Sequence, residues 1–177
     1  MAITQERLNS YYKKLSELSF DTDNSKIVCN YSNKFIDFDE LKKIRGTHSL
    51  PQSPDMIFIN KEKKEIWFVE FKSSTKENLQ NKIFKIKRKI LDGLIMFYEI
   101  FQNYYEFKKY YFVVYDTEES YEEQVLNGFS QKNIEFELGE IEHKFLDKVF
   151  TDSSENFIEK WTDRFNIEFI KENNEQK

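Results

Sequence analysis

Hydrophobic positions recur at intervals of three and four between Ile3 and Leu18. Leu8, Tyr11, Tyr12, Leu15 and Leu18 fall on one side of a 3.6-residue period, which predicts an amphipathic helix ended by the polar run Asp21 to Ser25. Lys26 to Tyr31 reads as a short strand. Phe35 to Ile44 reads as a short helix with Ile36, Leu41 and Ile44 inward. The breaker-rich stretch Gly46 to Pro54 predicts a loop, followed by two β-rich segments, Asp55 to Asn60 and Glu65 to Lys72, joined by the charged turn Lys61 to Lys64. From Thr75 to about Asn103 the apolar series Leu79, Ile83, Ile86, Ile90, Leu94, Phe97, Phe101 keeps helical spacing, so one long helix is expected. Tyr110 to Tyr115 is apolar on both faces, as a central strand requires. The order strand, long helix, strand implies a crossover with parallel pairing inside a mixed sheet. Further on, Glu118 to Lys132 and Glu155 to Phe165 read as helices, and Ile134 to Leu138 and Phe145 to Val149 as strands. No internal repeat is visible.

Composition narrows the classes open to this pattern. The 177 residues are 39% hydrophobic and 33% charged, which suits one globular domain over residues 1–177 and excludes a disordered tail. Four glycines and two prolines among 18 Phe and 10 Tyr leave no flexible linker and no glycine-rich phosphate loop. Cys29 has no cysteine to pair with, so neither a disulfide scaffold nor a Cys/His zinc site is expected, and a reducing, cytoplasmic setting follows. No apolar run is long enough to span a bilayer, and charges interrupt Met1 to Leu18 where a signal peptide would need its apolar core. The net charge of −5 is unevenly spread. Six basic residues against one acid lie between Lys76 and Lys89, a basic island on an acidic body. Taken alone, that island reads as a solvated helix face.

The strand Glu65 to Lys72 changes the picture. Ile66, Phe68, Glu70 and Lys72 share one face, so two charges end a strand otherwise buried on both sides. A buried carboxylate needs a partner or a metal. If the four-residue turn closes the hairpin, Asn60 pairs with Glu65, Ile59 with Ile66, Ile57 with Phe68, and Asp55 with Glu70. Directly opposed residues place their Cβ atoms about 4.5–5.5 Å apart, close enough for two carboxylates to share a cation. Lys72 follows on the same face roughly 6.6 Å further along. Two acids and a lysine so arranged outline a hydrolytic metal site. The plain alternative is an ion pair between Glu70 and Lys72 at a strand end, with Asp55 after Pro54 opening a turn.

Pro54-Asp55, fourteen intervening residues, then Glu70-Phe71-Lys72 resembles the signature of the PD-(D/E)XK nuclease superfamily. The resemblance covers Ser53 to Phe101 closely and the remainder by element order. It implies an α/β (mixed α+β) fold with a restriction-endonuclease-like core: a central mixed sheet flanked by helices, in the order αβββαβ with extra C-terminal elements. It also implies that Asp55, Glu70 and the backbone carbonyl of Phe71 hold Mg²⁺, for which Mn²⁺ can substitute, and that Lys72 orients or activates the attacking water. Hard oxygen ligands suit such an ion, which polarises a phosphoryl group and acidifies bound water. Many members carry a further acid on the first core helix. Glu40 is the candidate because it projects near Ile36 and Ile44, with Glu17 and Glu6 as alternatives. Gln80 in Gln80-Asn81-Lys82-Ile83-Phe84 is similar to a glutamine-plus-aromatic motif of one branch, with Phe84 where Tyr is usual.

Lys82, Lys85 and Lys89 recur at spacings of three and four and share one helix side, where they could meet phosphates. The expected activity is metal-dependent hydrolysis of nucleic acid. An endodeoxyribonuclease of restriction or junction-resolving type stands first, with DNA favoured over RNA. The alternatives are an RNA-cleaving endonuclease of toxin or cap-snatching type and an inactive nucleic-acid-binding module. A double-strand cut needs two sites, hence a homodimer. His48 reads as a surface residue, and His143 is left without a role.

Overall fold

The computed structural model describes residues 5–45, 51–73, 83–115 and 138–172. Its centre is the expected hairpin. The turn closes because Lys64 adopts a left-handed backbone (φ 51°) and the Asn60 side chain accepts from the Lys63 amide at 2.9 Å. The short helices at the N-terminal end are α1 (Gln5–Asn9), α2 (Leu15–Leu18) and α3 (Phe38–Lys42), followed by α4 (Ile83–Ile100) and α5 (Ser154–Phe165). The strands are β1 (Tyr12–Lys14), β2 (Phe20–Asp21), β3 (Lys26–Ile27), β4 (Lys34–Asp37), β5 (Met56–Asn60), β6 (Glu65–Lys72), β7 (Lys108–Tyr115) and β8 (Lys148–Ser153). Six of them form a mixed sheet in the order β1-β4-β5-β6-β7-β8, and β2 with β3 makes a separate ribbon. Pairings from β1 to β6 are antiparallel, whereas β6–β7 and β7–β8 are parallel. The molecule is therefore α/β with a mixed central sheet, as the strand–helix–strand order requires.

Strand β6 is buried along nearly its whole length because helices cover both faces. Ile66 and Phe68 pack with Tyr111 and Val113 against Ile86, Ile90 and Phe97 of α4. On the other face Trp67, Val69 and Phe71 pack with Phe112 and Val114 against Phe157 and Trp161 of α5. The N-terminal end of β6 is sealed by Glu65, which accepts from Trp67 Nε1 (3.1 Å) and Arg164 (2.6 Å). The Arg164 guanidinium lies over the Trp67 ring, 5.2 Å from its centroid. Helix α5 starts where Ser153 accepts from the Asn156 amide and stops at Asn166 in the left-handed region.

Several expectations change. The helix expected over Ile3 to Leu18 is interrupted. The Ser10 hydroxyl bonds back to the Arg7 carbonyl (2.8 Å), and Tyr12 to Lys14 leave the helix to pair with β4. Tyr12, an aromatic residue suited to a sheet edge, opens the strand, and tertiary pairing with Ile36 outweighs the helical period. Phe35 to Ile44 divides in the same way: its first half is β4, and Asp37 then caps α3 by accepting from the Glu40 amide at 2.9 Å. The strand expected at Lys26 to Tyr31 shrinks to Lys26–Ile27, and that at Phe145 to Val149 moves to Lys148–Ser153. The long helix is seen from Ile83, the preceding residues from Thr75 lying outside the described residues, and ends at Ile100. The segment Glu118 to Lys132 and most of Ile134 to Leu138 also lie outside them, and Leu138 opens a 3₁₀ turn. Among the described residues no helix is long and apolar enough to cross a membrane.

Candidate active site

The mouth of the hairpin brings the two acids together. Asp55 immediately precedes β5. Its amide donates to the Val69 carbonyl at 3.0 Å, and its carbonyl accepts from the Phe38 amide at 3.2 Å. The expected register holds from Met56–Val69 to Asn60–Glu65 and ends there. The Asp55 amide bonds Val69, one residue out of that register, so Asp55 and Glu70 are not a ladder pair and meet instead across the Lys89 ammonium that both contact. Asp55 Oδ2 accepts from the Phe71 amide at 2.7 Å. Because the N–H and C=O of a strand residue project to the same edge, the Phe71 carbonyl is turned toward Asp55 as well. Glu70 has no exposed surface, and Lys72 sits beside it with Nζ 2.5 Å from Oε1. These groups lie at the carboxyl end of β6, the end of the parallel strands at which open α/β sheets form their crevices.

Lys89 behaves differently from the solvent-facing phosphate contact that its spacing suggests. Its ammonium turns inward from α4 and lies 2.7 and 2.9 Å from the two Glu70 oxygens and 3.3 Å from Asp55 Oδ1. The reason is charge: a buried carboxylate needs a counter-ion, and a lysine stem on a neighbouring helix can deliver one. Lys85, one turn earlier, is exposed and lines the open pocket of about 360 Å³ in front of Asp55, Phe71 and Lys72. Other members of the basic island are paired within the chain, Lys87 with Glu140 at 3.3 Å and Arg88 with Asp92 at 3.4 Å. Gln80 and Lys82 lie outside the described residues, as does His48. His143 is exposed on a turn with positive φ.

Of the candidate third acids, Glu40 and Glu17 both line this pocket, and Glu6 is exposed on α1. Glu40 does not share a helix with Ile36 as its spacing predicts, because Ile36 belongs to β4 and Glu40 to α3. Glu40 reaches the pocket wall from α3 and is paired with Lys43 at 2.6 Å. Glu17 accepts from the Lys14 amide at 2.9 Å. Asp37 and Asp39, on the same wall, escaped the sequence reading. Asp39 contacts Lys42 at 2.5 Å and the buried Ser53 hydroxyl. Burial pushes its carboxyl up, but these two hydrogen bonds and the Lys42 charge bring it below the usual range.

Two backbone features aim Asp55. A Cβ on Gly93 would come within 2.6 Å of Pro54 Cδ, so only glycine lets α4 close onto the residue before Asp55. Beside it, the Gln52 amide donates to Asp92 at 3.1 Å. A lone glycine inside an otherwise regular helical pattern was the available signal for this close approach.

The electrostatics follow from the packing. Burial first, and then the Glu70 charge, push the Asp55 carboxyl up to about 7, against the pull of Lys89, Lys72 and the Phe71 amide. Burial lowers Lys72, but the charges of Glu70 and Asp55 outweigh it and leave the amine above its ordinary value. Lys72 is therefore an ammonium at neutral pH. It can donate hydrogen bonds and stabilise negative charge, and it cannot accept a proton in this state. Further out, burial would raise Asp21, yet hydrogen bonds from the Ser73 hydroxyl (2.8 Å) and amide (3.1 Å), with those from Asn24 and Asp23, hold it at about 2. That contact ties the β2–β3 ribbon to the chain just beyond Lys72.

Among the described residues no three His, Cys, Asp or Glu side chains converge closely enough to hold a metal ion. Asp55, Glu70 and the Phe71 carbonyl offer hard oxygen donors from two side chains and the backbone. That number suits Mg²⁺, which keeps several waters and takes few protein carboxylates. Comparison with family models, curated proteins and solved structures returned no match for this chain.

Proposed function

We propose that this chain is a Mg²⁺-dependent nuclease of the PD-(D/E)XK type, built on a restriction-endonuclease-like core and hydrolysing phosphodiester bonds of nucleic acid. The observation that carries the reading is the meeting of Asp55 and Glu70 at the mouth of the hairpin, both in contact with one ammonium, with Lys72 2.5 Å from Glu70 at the edge of an open pocket. The element order supports it: an antiparallel hairpin, a long helix, then a parallel strand beside the hairpin's second strand.

Asp55, Glu70 and the Phe71 carbonyl would hold the ion, which when bound supplies Lewis-acid polarisation of the phosphoryl group and a water of lowered pKa. The chain's own residues do the rest. The Phe71 amide fixes the Asp55 carboxylate, and burial of Glu70 keeps bulk water from its oxygens. Lys72, cationic and 2.5 Å from Glu70, places a hydrogen-bond donor where charge accumulates on the phosphate being cut. Lys85 at the pocket edge meets the backbone phosphates. DNA stands first as substrate and RNA second.

Purified protein should cleave plasmid DNA with Mg²⁺ or Mn²⁺ and stop in EDTA, with total RNA as the parallel substrate. Glu70→Gln and Lys72→Met should each lower the rate by about 10²–10⁴-fold while circular dichroism stays unchanged. Wild-type rates in both variants would dismiss this site, and cleavage of RNA alone would move the substrate to the second class.

A further inference from the structure

The position of Lys89 has a consequence that rests on the nuclease reading. Its ammonium forks across both oxygens of Glu70 and reaches Asp55 Oδ1, so it engages the oxygen atoms that a metal ion would take. Mg²⁺ binds carboxylate oxygens at about 2.0–2.1 Å, so an ion held between Asp55 and Glu70 would take the place of Lys89, the ammonium that contacts both acids, whereas Lys72 contacts Glu70 at Oε1; two cations so close repel. With Lys89 in place, the formal charges of Asp55, Glu70, Lys72 and Lys89 cancel. Without it the remaining three leave one negative charge to attract a divalent ion.

We propose that Lys89 is a built-in counter-ion that stands in for the metal, and that metal binding displaces it toward the pocket, where it becomes a contact for substrate phosphate. The geometry permits this exchange. Lys89 lies on the pocket wall, its side chain keeps 13% exposure, and Lys85 one turn earlier already faces the same space. Metal and nucleic acid then bind cooperatively, because each favours the state in which Lys89 has left the carboxylates, and the coupling is reciprocal. The basic spacing read from the sequence thus describes Lys89 after the exchange, and the inward ion pair describes it before.

Calorimetric titration of the full chain with Mn²⁺, without nucleic acid, tests this. Lys89→Gln should bind Mn²⁺ about 10-fold more tightly than wild type, and Asp55→Asn should lose most of the affinity. Equal or weaker binding by Lys89→Gln, with loss in Asp55→Asn, overturns the exchange and leaves the metal site standing. Unchanged binding in Asp55→Asn removes the metal site, and the exchange with it. Acetylation footprinting of wild-type protein guards against a misfolded variant. Lys89 should react slowly without metal and several-fold faster at saturating Mn²⁺, with Lys85 as the internal reference. A Lys89 that stays protected at saturation also overturns the proposal.

Discussion

Asp55 serves two demands that pull in opposite directions. Its backbone and side chain are held by Val69, Phe38 and Phe71, while its charge sits beside Glu70 in a site that burial makes unfavourable for carboxylates. A carboxyl raised to about 7 in the folded state binds its proton more tightly than in the unfolded chain. Ionising it costs stability. The cost is absent below pH 4, grows as pH rises, and is complete above about 7. Metal-free Asp55→Asn should therefore gain on wild type across that window, reaching about 1–3 kcal/mol near pH 7, because asparagine still accepts from Phe71 and carries no charge. Thermal melts in EDTA at pH 4 and pH 7 check it, and a variant that melts below wild type at pH 7 would contradict it. Asp21 has the opposite sign. Held at about 2 by Ser73, it adds stability that is fully present above pH 4 and lost as pH falls toward 2. After allowance for solvent screening this is about 1 kcal/mol. Urea midpoints of Asp21→Asn and wild type should converge between pH 4 and pH 2.

At the scale of elements, the site depends on how α4 closes over the hairpin. Replacing a glycine within a helix by alanine ordinarily stabilises by about 1 kcal/mol. At Gly93 the added methyl would press against the Pro54 ring at 2.6 Å, and that ring is rigid. Gly93→Ala should therefore destabilise, by about 1–3 kcal/mol, and should slow cleavage more than the loss of stability explains, since Pro54 aims Asp55 and α4 carries Lys89. Melting temperature and single-turnover rate, measured together, separate the two effects. The hairpin could be read from the sequence because alternation, turn chemistry and register are local. The exchange of an N-terminal helix for β1 could not, because the bonds that Tyr12 to Lys14 make with Lys34 to Ile36 link segments whose approach no periodicity records.

Over the whole molecule, charge decides how a net −5 chain could meet a polyanion. Among the described residues of the basic island, Lys87 pairs with Glu140, Arg88 with Asp92 and Lys89 with Glu70. Lys85, exposed at the pocket, is the candidate for a phosphate contact among the described residues. Lys85→Gln should weaken nucleic-acid binding across all sequences and lower the salt slope by about one, read as log K against log salt. An unchanged slope would return Lys85 to the role of a solvated surface residue. The sequence by itself determined the mixed sheet, the central strand apolar on both faces, and the hairpin register from Met56 to Asn60, because strand order, alternation and a four-residue turn are legible without reference to distant parts of the chain. Only the tertiary structure decided which cation answers the buried acids, why Gly93 stands opposite Pro54, and that Asp21, Asp37 and Asp39 share the pocket. Those relations arise where separate elements close on one another, and burial, which sets the cost of each charge, exists only once they have.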